Sequence, residues 1–392
     1  MQASSADGKT TIISFLSLDA SPLSITFTAK LHLMPKFHAL TVSDVRKETD
    51  DTVSVAFEVP AELEESYQFK QGQYLTLRTE IDGEDVRRSY SICRSPLDNE
   101  LRVAIKKVDG GKFSTYANEV LKPGDELQVM TPLGRFYTQL DPANEKHYVA
   151  FAAGSGITPV MAHMRAILQT EPKSEFTLIY GNKSSASIIF KEEIEDLKNE
   201  YMERVRVYHV LSREQNEVPL LFGRIDSEKC NLFLKYFIEP DSIDEVFICG
   251  PAPMIDNVRE ELNNVGVDKK KVHFELFASP QQLAERKGRE EPKKERENIQ
   301  ARVQIILDGV STEFEMKSED TNILDAALKN GADLPFACKG GVCATCRAKI
   351  DEGQVEMDVN YSLEPDELER GFVLTCQAHP TTDKVVVNFD EA

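Results

Sequence analysis

The chain has 392 residues, of which 41 % are hydrophobic and 29 % are charged, and its formal net charge is −20. This length allows two or three domains, each large enough for its own core. The negative charge argues against nucleic acid and against an anionic membrane as partners. The odd count of seven cysteines suits a reduced, cytoplasmic protein better than a secreted disulfide scaffold. No stretch is long and apolar enough to predict a membrane span.

The first part of the chain carries no motif. Residues 12–18 are briefly apolar but are interrupted by serines, and only Lys9 precedes them, which makes a poor signal peptide. We therefore expect residues 1–34 to be a disordered extension, or Met34 to be the true start of the protein.

Residues 35–141 are predicted to form an antiparallel β-barrel. Short runs rich in β-branched and aromatic residues are bounded by turns such as Asp82-Gly83, with no helical pattern between the runs. These runs are 38–47, 52–59, 73–81, 87–92 and 101–108. Strands at this spacing favour a closed barrel.

Residues 142–279 are predicted to form a doubly wound parallel α/β domain. The candidate buried strands are 148–153, 176–180, 205–211 and 245–249, and the helical patterns are 160–168, 188–200 and 254–265. Alternation of strands and helices is typical of a parallel sheet with helices on both faces.

Residues 280–300 are a mixed-charge run with almost nothing to bury, and they read as a linker or a solvated helix. The final domain, 301–392, begins with strand patterns at 302–307 and 312–316 and a helical pattern at 323–330.

A cysteine motif follows that helical pattern. Cys338, Cys343 and Cys346 have the spacing C-x4-C-x2-C, and Cys376 comes later. This is the ligand spacing of a plant-type 2Fe–2S cluster. Structural zinc is the alternative, but zinc ribbons usually offer two C-x2-C pairs and this chain has one. Disulfides are a second alternative, and nothing in the sequence indicates an oxidising compartment.

Two segments of the barrel are candidates for binding a flat, phosphorylated cofactor. In the run from Arg87 to Ser91, an arginine could bind a pyrophosphate, a tyrosine could stack on a heterocycle and a hydroxyl could bind a ring edge. The run Gly110-Gly-Lys-Phe-Ser114 brings glycines to a helix predicted at 115–121, with Ser114 as its N-cap. Between them lies Ile105-Lys106. Alone, the run from Arg87 to Ser91 could be an exposed polar strand, and Ile105-Lys106 could equally lie in a half-buried strand with solvated lysines.

Three segments of the α/β domain are candidates for binding a dinucleotide. The run Gly154-Ser-Gly-Ile-Thr-Pro159 follows a strand and opens a helix, with Pro159 predicted at the first helical position. Ser212-Arg213 follows the predicted strand 205–211. A guanidinium there would bind the 2′-phosphate of NADPH and so favour NADPH over NADH. Cys249-Gly250-Pro251 ends a further strand. A tight βα turn, a polar strand end and a buried thiol are the corresponding structural alternatives.

Together, these motifs resemble the ferredoxin–NADP reductase superfamily fused to a plant-type ferredoxin, in the order found in reductase components of multicomponent oxygenases. The resemblance covers nearly all of 35–392 and includes the terminal Phe274-Glu275-Leu276-Phe277. It implies an FAD site (with FMN less favoured), an NADPH site and a 2Fe–2S cluster in a β-grasp domain. The implied flavin ligands are Arg88, Ser89, Tyr90, Ser91, Ile105, Lys106, Gly111, Lys112, Phe113 and Ser114. The implied NADPH ligands are Gly154, Ser155, Gly156, Thr158, Pro159, Ser212, Arg213, Cys249, Gly250, Pro251 and Phe277. The implied catalytic residues are Ser91, Cys249 and Glu275.

The resemblance also implies the reaction: NADPH gives a two-electron hydride, a flavin converts it into single electrons, and the cluster passes these to an oxygenase. The segment 301–392 has 18 acidic and 8 basic residues, so an acidic face could steer a basic protein partner, or simply keep the domain soluble. A reductase for a ring-hydroxylating oxygenase, a desaturase or a hydroxylase would carry the same motifs. A nucleotide-binding module with a structural zinc site is the alternative from a different class.

Overall fold

A computed structural model of the chain describes residues 36–277, 299–317 and 321–391. The predicted extension 1–34 and nearly all of the predicted linker 280–300 lie outside these residues. The sheets of the described residues fall inside the three predicted domain ranges, except that one strand begins at Gln300, the last residue of the predicted linker. The boundaries between those ranges stay predictions. No helix in the described part of the chain has the length and apolar character that a membrane crossing requires.

The first sheet is the predicted antiparallel barrel. Its described strands are β1 (Phe37–Thr49), β2 (Thr52–Glu58), β3 (Tyr74–Ile81), β4 (Glu84–Ser91), β5 (Leu101–Lys106) and β6 (Glu126–Met130). They are ordered β4-β3-β6-β1-β2-β5, and a bridge between Ile92 and Val103 joins the two ends. Helix α1 (Lys112–Glu119) packs Phe113 into the barrel core. The closed barrel is confirmed; β6 was not predicted.

The second sheet is the predicted parallel α/β domain, which is also confirmed. Its strands are β7 (His147–Ala153), β8 (Glu175–Asn182), β9 (Val205–Leu211), β10 (Ile243–Gly250) and β11 (Val272–Leu276). Its helices are α2 (Ile157–Thr170), α3 (Lys191–Glu200), α4 (Ser227–Tyr236) and α5 (Ala252–Asn264). The strand order β11-β10-β7-β8-β9 reverses beside β7. Ligands of such sheets bind at the carboxyl ends of the strands near this reversal.

The third described region is the C-terminal β-grasp domain. Its main sheet has the order β13-β12-β18-β14-β16, in which β12 and β18 are parallel. The elements are β12 (Gln300–Leu307), β13 (Val310–Lys317), α6 (Ile323–Lys329), β14 (Arg347–Glu352), β15 (Val355–Met357), α7 (Pro365–Glu369), β16 (Phe372–Leu374), β17 (Ala378–Pro380) and β18 (Lys384–Asn388). Helix α6 covers one face of the sheet through Ile323 and Leu324, and the cysteine loop follows it.

Candidate active site and iron–sulfur centre

The four predicted cluster ligands lie together as two pairs. The thiols of Cys338 and Cys343 are hydrogen-bonded to each other, and so are those of Cys346 and Cys376. Two thiolates on each iron are what a 2Fe–2S cluster requires. A zinc ion would instead bring all four ligands to a single centre. The donor set therefore fits the two-iron cluster.

Hydrogen bonds favour a thiolate in each pair. The thiol of Cys343 donates to Cys338, and the backbone amides of Gly340 and Cys343 lie 3.3 and 3.4 Å from the Cys338 sulfur. These bonds lower the pKa of Cys338 to about 5, although burial opposes them. The pKa of Cys376 is lowered in the same way by the thiol of Cys346. Because the thiolate is the form that binds metal, the loop favours ligation.

The backbone of the cysteine loop is turned tightly back on itself. Lys339 and Ala344 have φ values of +50° and +54°, which side-chain-bearing residues adopt only at a cost. Gly341 has φ +75°, and a Cβ there would approach the Val359 Cγ2 atom to 3.0 Å. Strain of this kind, of order 1–3 kcal/mol per residue, persists where the surroundings determine the conformation. The tightly turned loop is thus shaped to surround a small, compact group.

The predicted flavin residues on β4 alternate between two faces of the strand. The Tyr90 ring lies 5.7 Å from the Phe113 ring, so β4 and the start of α1 are adjacent. The side chain of Arg88 is exposed, and Ser89 bonds to Thr76 at 3.0 Å. Ser91 is buried, and its hydroxyl donates to the Glu275 carboxylate at 3.2 Å. A flavin bound along β4 would therefore have an aromatic ring, an arginine and a hydroxyl within one strand.

The glycine-containing run after β5 differs in one respect from its prediction. Helix α1 begins at Lys112 with Gly111 as its N-cap residue, so Ser114 is not the cap. The Ser114 hydroxyl instead accepts from the Val108 amide at 3.1 Å and donates to the Gly111 carbonyl at 3.3 Å. The first-turn amides of α1 still lack intrahelical partners, as an anion site requires.

Ile105 and Lys106 are placed less favourably for side-chain contacts with a flavin. The Ile105 side chain is fully buried in the barrel core, and Lys106 pairs with Asp51 at 3.3 Å. Lys112, in α1, pairs with Glu84 at 2.6 Å. Any contact that Ile105 makes with a cofactor must therefore come from its backbone.

The predicted dinucleotide turn follows β7 and leads directly into α2. Gly154, Ser155 and Gly156 form one 3-10 turn, and the helix starts at Ile157, so Pro159 is its third residue and not its first. A proline is tolerated there because first-turn amides have no intrahelical partner. A Cβ on Gly156 would lie 2.1 Å from the Cys249 carbonyl oxygen, so only glycine lets β7 and β10 end this close together.

Thr158 and Tyr180 hold the dinucleotide turn. The Thr158 hydroxyl donates to the Ser155 carbonyl at 3.0 Å, and the Tyr180 hydroxyl donates to the Gly154 carbonyl at 3.0 Å. Tyr180 was not singled out in the sequence. Both hydroxyls bond to carbonyl groups of the turn and so hold its backbone in place, which fits a turn whose backbone binds phosphates.

A basic pair lies at the carboxyl edge of the parallel sheet. The Arg213 amide donates to the Lys183 carbonyl at 2.8 Å, and both side chains are exposed. Glu214, the next residue, accepts from the Ser185 amide at 2.7 Å and from its hydroxyl; these bonds lower its pKa. Ser212 and Arg213 were predicted from the sequence and Lys183 was not, although neighbouring parallel strands end at the same edge of the sheet.

The three predicted catalytic residues come together where the barrel meets the parallel sheet. Cys249 and Glu275 are register partners on β10 and β11, and Ser91 donates to Glu275. Burial raises the pKa of Glu275 to about 7, with the Ser91 hydrogen bond opposing the shift. Burial and the neighbouring Glu275 raise the pKa of Cys249 well above its usual value, so it is a thiol at neutral pH.

Gly250, Pro251 and Phe277 surround this junction. The Phe277 amide donates to the Gly250 carbonyl at 3.4 Å, and the Phe277 ring packs on the core that contains Cys249. Pro251 is the N-cap residue of α5. A Cβ on Gly250 would meet Met254 at 2.8 Å and Ala153 at 3.2 Å, so a glycine keeps the strand end open.

Three families match successive parts of the chain. Residues 39–137 match an oxidoreductase FAD-binding domain, 151–260 an oxidoreductase NAD-binding domain, and 305–381 a 2Fe–2S iron–sulfur cluster binding domain. The chain therefore has sites for FAD, a pyridine nucleotide and a 2Fe–2S cluster, and it is an NAD(P)H-dependent flavin and iron–sulfur oxidoreductase.

Curated relatives share this whole arrangement. One subunit of 1,2-phenylacetyl-CoA epoxidase from Escherichia coli (strain K12) is 47 % identical over 360 residues, which are 91 % of this chain and 99 % of that protein. The ferredoxin reductase component of 3-ketosteroid-9-alpha-monooxygenase from Rhodococcus rhodochrous is 34 % identical over 89 % of this chain and 96 % of that protein. The chain belongs to the family of three-domain oxygenase reductases that contains these proteins.

A solved structure supports the same fold. Phthalate dioxygenase reductase, described as a modular structure for electron transfer from pyridine nucleotides to [2Fe–2S], superposes with a TM-score of 0.55. The match covers 90 % of this chain and 98 % of that chain at 22 % identity. The arrangement of barrel, parallel sheet and cluster domain is therefore common to both.

Proposed function

We propose that this protein is the reductase of a phenylacetyl-CoA epoxidase, which serves phenylacetate catabolism in the cytoplasm. It takes electrons from NADPH and delivers them through FAD and a 2Fe–2S cluster to the oxygenase component. The similarity to the epoxidase protein over nearly the full length of both chains supports this acceptor. The seven unpaired cysteines support a reducing compartment.

The observation that carries the proposal is the bond between Ser91 on the flavin barrel and Glu275 on the nucleotide domain. It brings the predicted flavin edge and the predicted nicotinamide end of the dinucleotide site to one junction. When bound, the flavin accepts two electrons as a hydride and releases them singly to the cluster. Ser91, Cys249 and Glu275 orient the reacting rings and keep water out, and Glu275 can hold or release a proton near neutral pH.

We assign the cofactors to the residues predicted from the sequence. Arg88, Tyr90 and the first turn of α1 bind FAD, and the turn 154–156 binds the dinucleotide pyrophosphate. Cys338 and Cys343 bind one iron, and Cys346 and Cys376 bind the other. The pairing of the thiols supports this division.

NADPH is the preferred donor in this proposal, and the basic pair Lys183 and Arg213 supports that preference. A 2′-phosphate would meet two exposed cations there, while the adjacent Glu214 is already bonded to the Ser185 amide and hydroxyl. Replacing Arg213 by Ala should lower kcat/KM for NADPH by about tenfold, the effect of one charge-assisted hydrogen bond, and leave NADH nearly unaffected. Arg206→Ala is the matched control, because Arg206 pairs with Glu175 at the other end of β9.

Two measurements test the proposal as a whole. We expect NADPH to bleach the absorption bands of the flavin and the cluster. A colourless zinc protein would contradict the proposal. Cys343→Ser should end electron delivery to the oxygenase component of phenylacetyl-CoA epoxidase but keep NADPH oxidation by ferricyanide, which reacts with the flavin. Cys230→Ser, at a buried cysteine of α4, should keep both. Activity with another oxygenase but not with the epoxidase would refute the acceptor.

A further inference from the structure

The barrel contacts the cysteine loop directly through Tyr74, the first residue of β3. The Tyr74 hydroxyl donates to the Cys343 carbonyl at 2.6 Å and lies 3.1 Å from the Thr345 hydroxyl. Its side chain is only 6 % exposed. A buried hydroxyl on a cluster-ligand carbonyl thus joins two domains that are far apart in the sequence.

Tyr74 lies next to the predicted flavin residues of β4. Tyr74 and Ser91 are directly opposite each other in the β3–β4 pair, so their side chains lie on the same face of the sheet. From that face, Ser91 reaches Glu275 and Tyr74 reaches Cys343. The opposed residues Ser91 and Tyr74 therefore link the proposed hydride-transfer junction to Cys343, a predicted cluster ligand.

The Tyr74 ring is held in place by its surroundings. The Tyr74 amide donates to the Leu133 carbonyl at 2.7 Å, and the Leu133 amide returns a bond at 3.0 Å. A Cβ on Gly134 would lie 3.0 and 3.2 Å from the Tyr74 ring carbons, so the ring packs flat on that glycine. A ring held by its backbone and by one packed face can transmit its position to the group that its hydroxyl binds.

Other contacts join the barrel to the C-terminal domain without touching a cysteine. The Arg87 guanidinium lies 4.2 Å from the Phe336 ring centroid and 3.7 Å from Asp333. Glu367 pairs with both Arg135 and Arg347. These contacts attach the domain as a whole, whereas Tyr74 acts on the ligand loop itself.

We propose that Tyr74 is a positioning residue that fixes the cysteine loop against the β3–β4 pair and thereby sets the rate of flavin-to-cluster electron transfer. This inference rests on the proposed function. Each transfer moves one electron from the reduced flavin to the cluster. NADPH is the source of both electrons of a pair. Tyr74 keeps its proton and is neither oxidised nor reduced.

The test compares Tyr74→Phe with Tyr67→Phe in the purified holoenzyme, after flavin and iron contents have been measured. Tyr67 is a matched control because its buried hydroxyl donates to the Val129 carbonyl at 2.6 Å within the same barrel, away from the cluster. Anaerobic stopped-flow absorption with NADPH follows the flavin and the cluster separately. Tyr74→Phe should slow cluster reduction about three- to tenfold, the effect of one hydrogen bond, and Tyr67→Phe should not.

A second readout does not depend on turnover. In the dithionite-reduced proteins, the electron paramagnetic resonance g values of the cluster should shift in Tyr74→Phe and stay unchanged in Tyr67→Phe. Equal slowing in both variants, or no slowing and no spectral shift in Tyr74→Phe, would overturn the role of Tyr74. If NADPH does not reduce the flavin of the wild-type protein, the proposed function itself is refuted, so the two failures are distinguishable.

Discussion

Replacing Glu275 by Gln tests the electrostatics of the junction. Burial raises the pKa of Glu275 from 4.5 to about 7, and one pKa unit corresponds to about 1.36 kcal/mol. Charging this carboxyl in the folded protein therefore costs about 3 kcal/mol at most, since its partial exposure lets water reduce the penalty. Gln cannot ionise, so the variant avoids that cost.

The direction of the pH dependence follows from the raised pKa. The neutral Glu275 contributes its stability below pH 4.5, and this contribution is lost as the pH rises from 4.5 to 7. At pH 8, Glu275→Gln should therefore unfold at a higher temperature than the wild type, by up to about 10 °C. At pH 4.5 or below, the two proteins should unfold at nearly the same temperature, as calorimetry of the holoenzyme can measure.

Infrared difference spectra between wild type and Glu275→Gln give the pKa of this carboxyl directly. The Ser91 hydroxyl stabilises the charged form, so Ser91→Ala should move the Glu275 pKa above 7. A carboxyl that titrates near 4.5 in the wild type would show that burial does not control it. A lower pKa in Ser91→Ala would contradict the role of the hydrogen bond.

Two further substitutions test a close backbone approach in the dinucleotide site and an ion pair of the C-terminal domain. Gly156→Ala should strongly reduce flavin reduction by NADPH in stopped-flow experiments, because its Cβ would lie 2.1 Å from the Cys249 carbonyl oxygen; normal kinetics would disprove this packing. Glu367→Ala should destabilise the C-terminal domain by about 3 kcal/mol, because the mostly buried Arg347 loses its 2.9 Å partner. Loss of the cluster absorption on heating measures this effect, and Glu369→Ala, at an exposed position of the same helix, should have none.

The features that could be predicted from the sequence are those fixed by local spacing. The cysteine loop places three ligands within nine residues, so its chemistry is readable without knowledge of the fold. The bounds of β9 were predicted to the residue because a run rich in β-branched and aromatic residues, interrupted only by Arg206 and His209, ends at the polar Ser212. The helix starts were less accurate, because Gly111 serves as the N-cap residue while the Ser114 hydroxyl bonds to the Val108 amide.

The features that could not be predicted depend on contacts between distant segments. Tyr74 and Cys343 are 269 residues apart, and a tyrosine that begins a strand looks like any other barrel residue. Arg87 was part of the predicted flavin motif, yet its side chain contacts Phe336 of the C-terminal domain, while Arg88 stays exposed. Only the docking of the domains separates the roles of these two adjacent arginines.

The β3–β4 pair is therefore the element on which the three domains converge. Its outward face carries Ser91 toward the nucleotide domain and Tyr74 toward the cysteine loop. Because side chains alternate along a strand, a slip of one residue in β3 would turn Tyr74 into the barrel and place Leu75 against the loop. The register is fixed by the buried Leu75 and Leu77 on the inner face. The packing of the barrel core thus determines, through strand alternation, that Ser91 and Tyr74, and with them the predicted flavin edge and the contact to the cysteine loop, lie on the same side of one sheet.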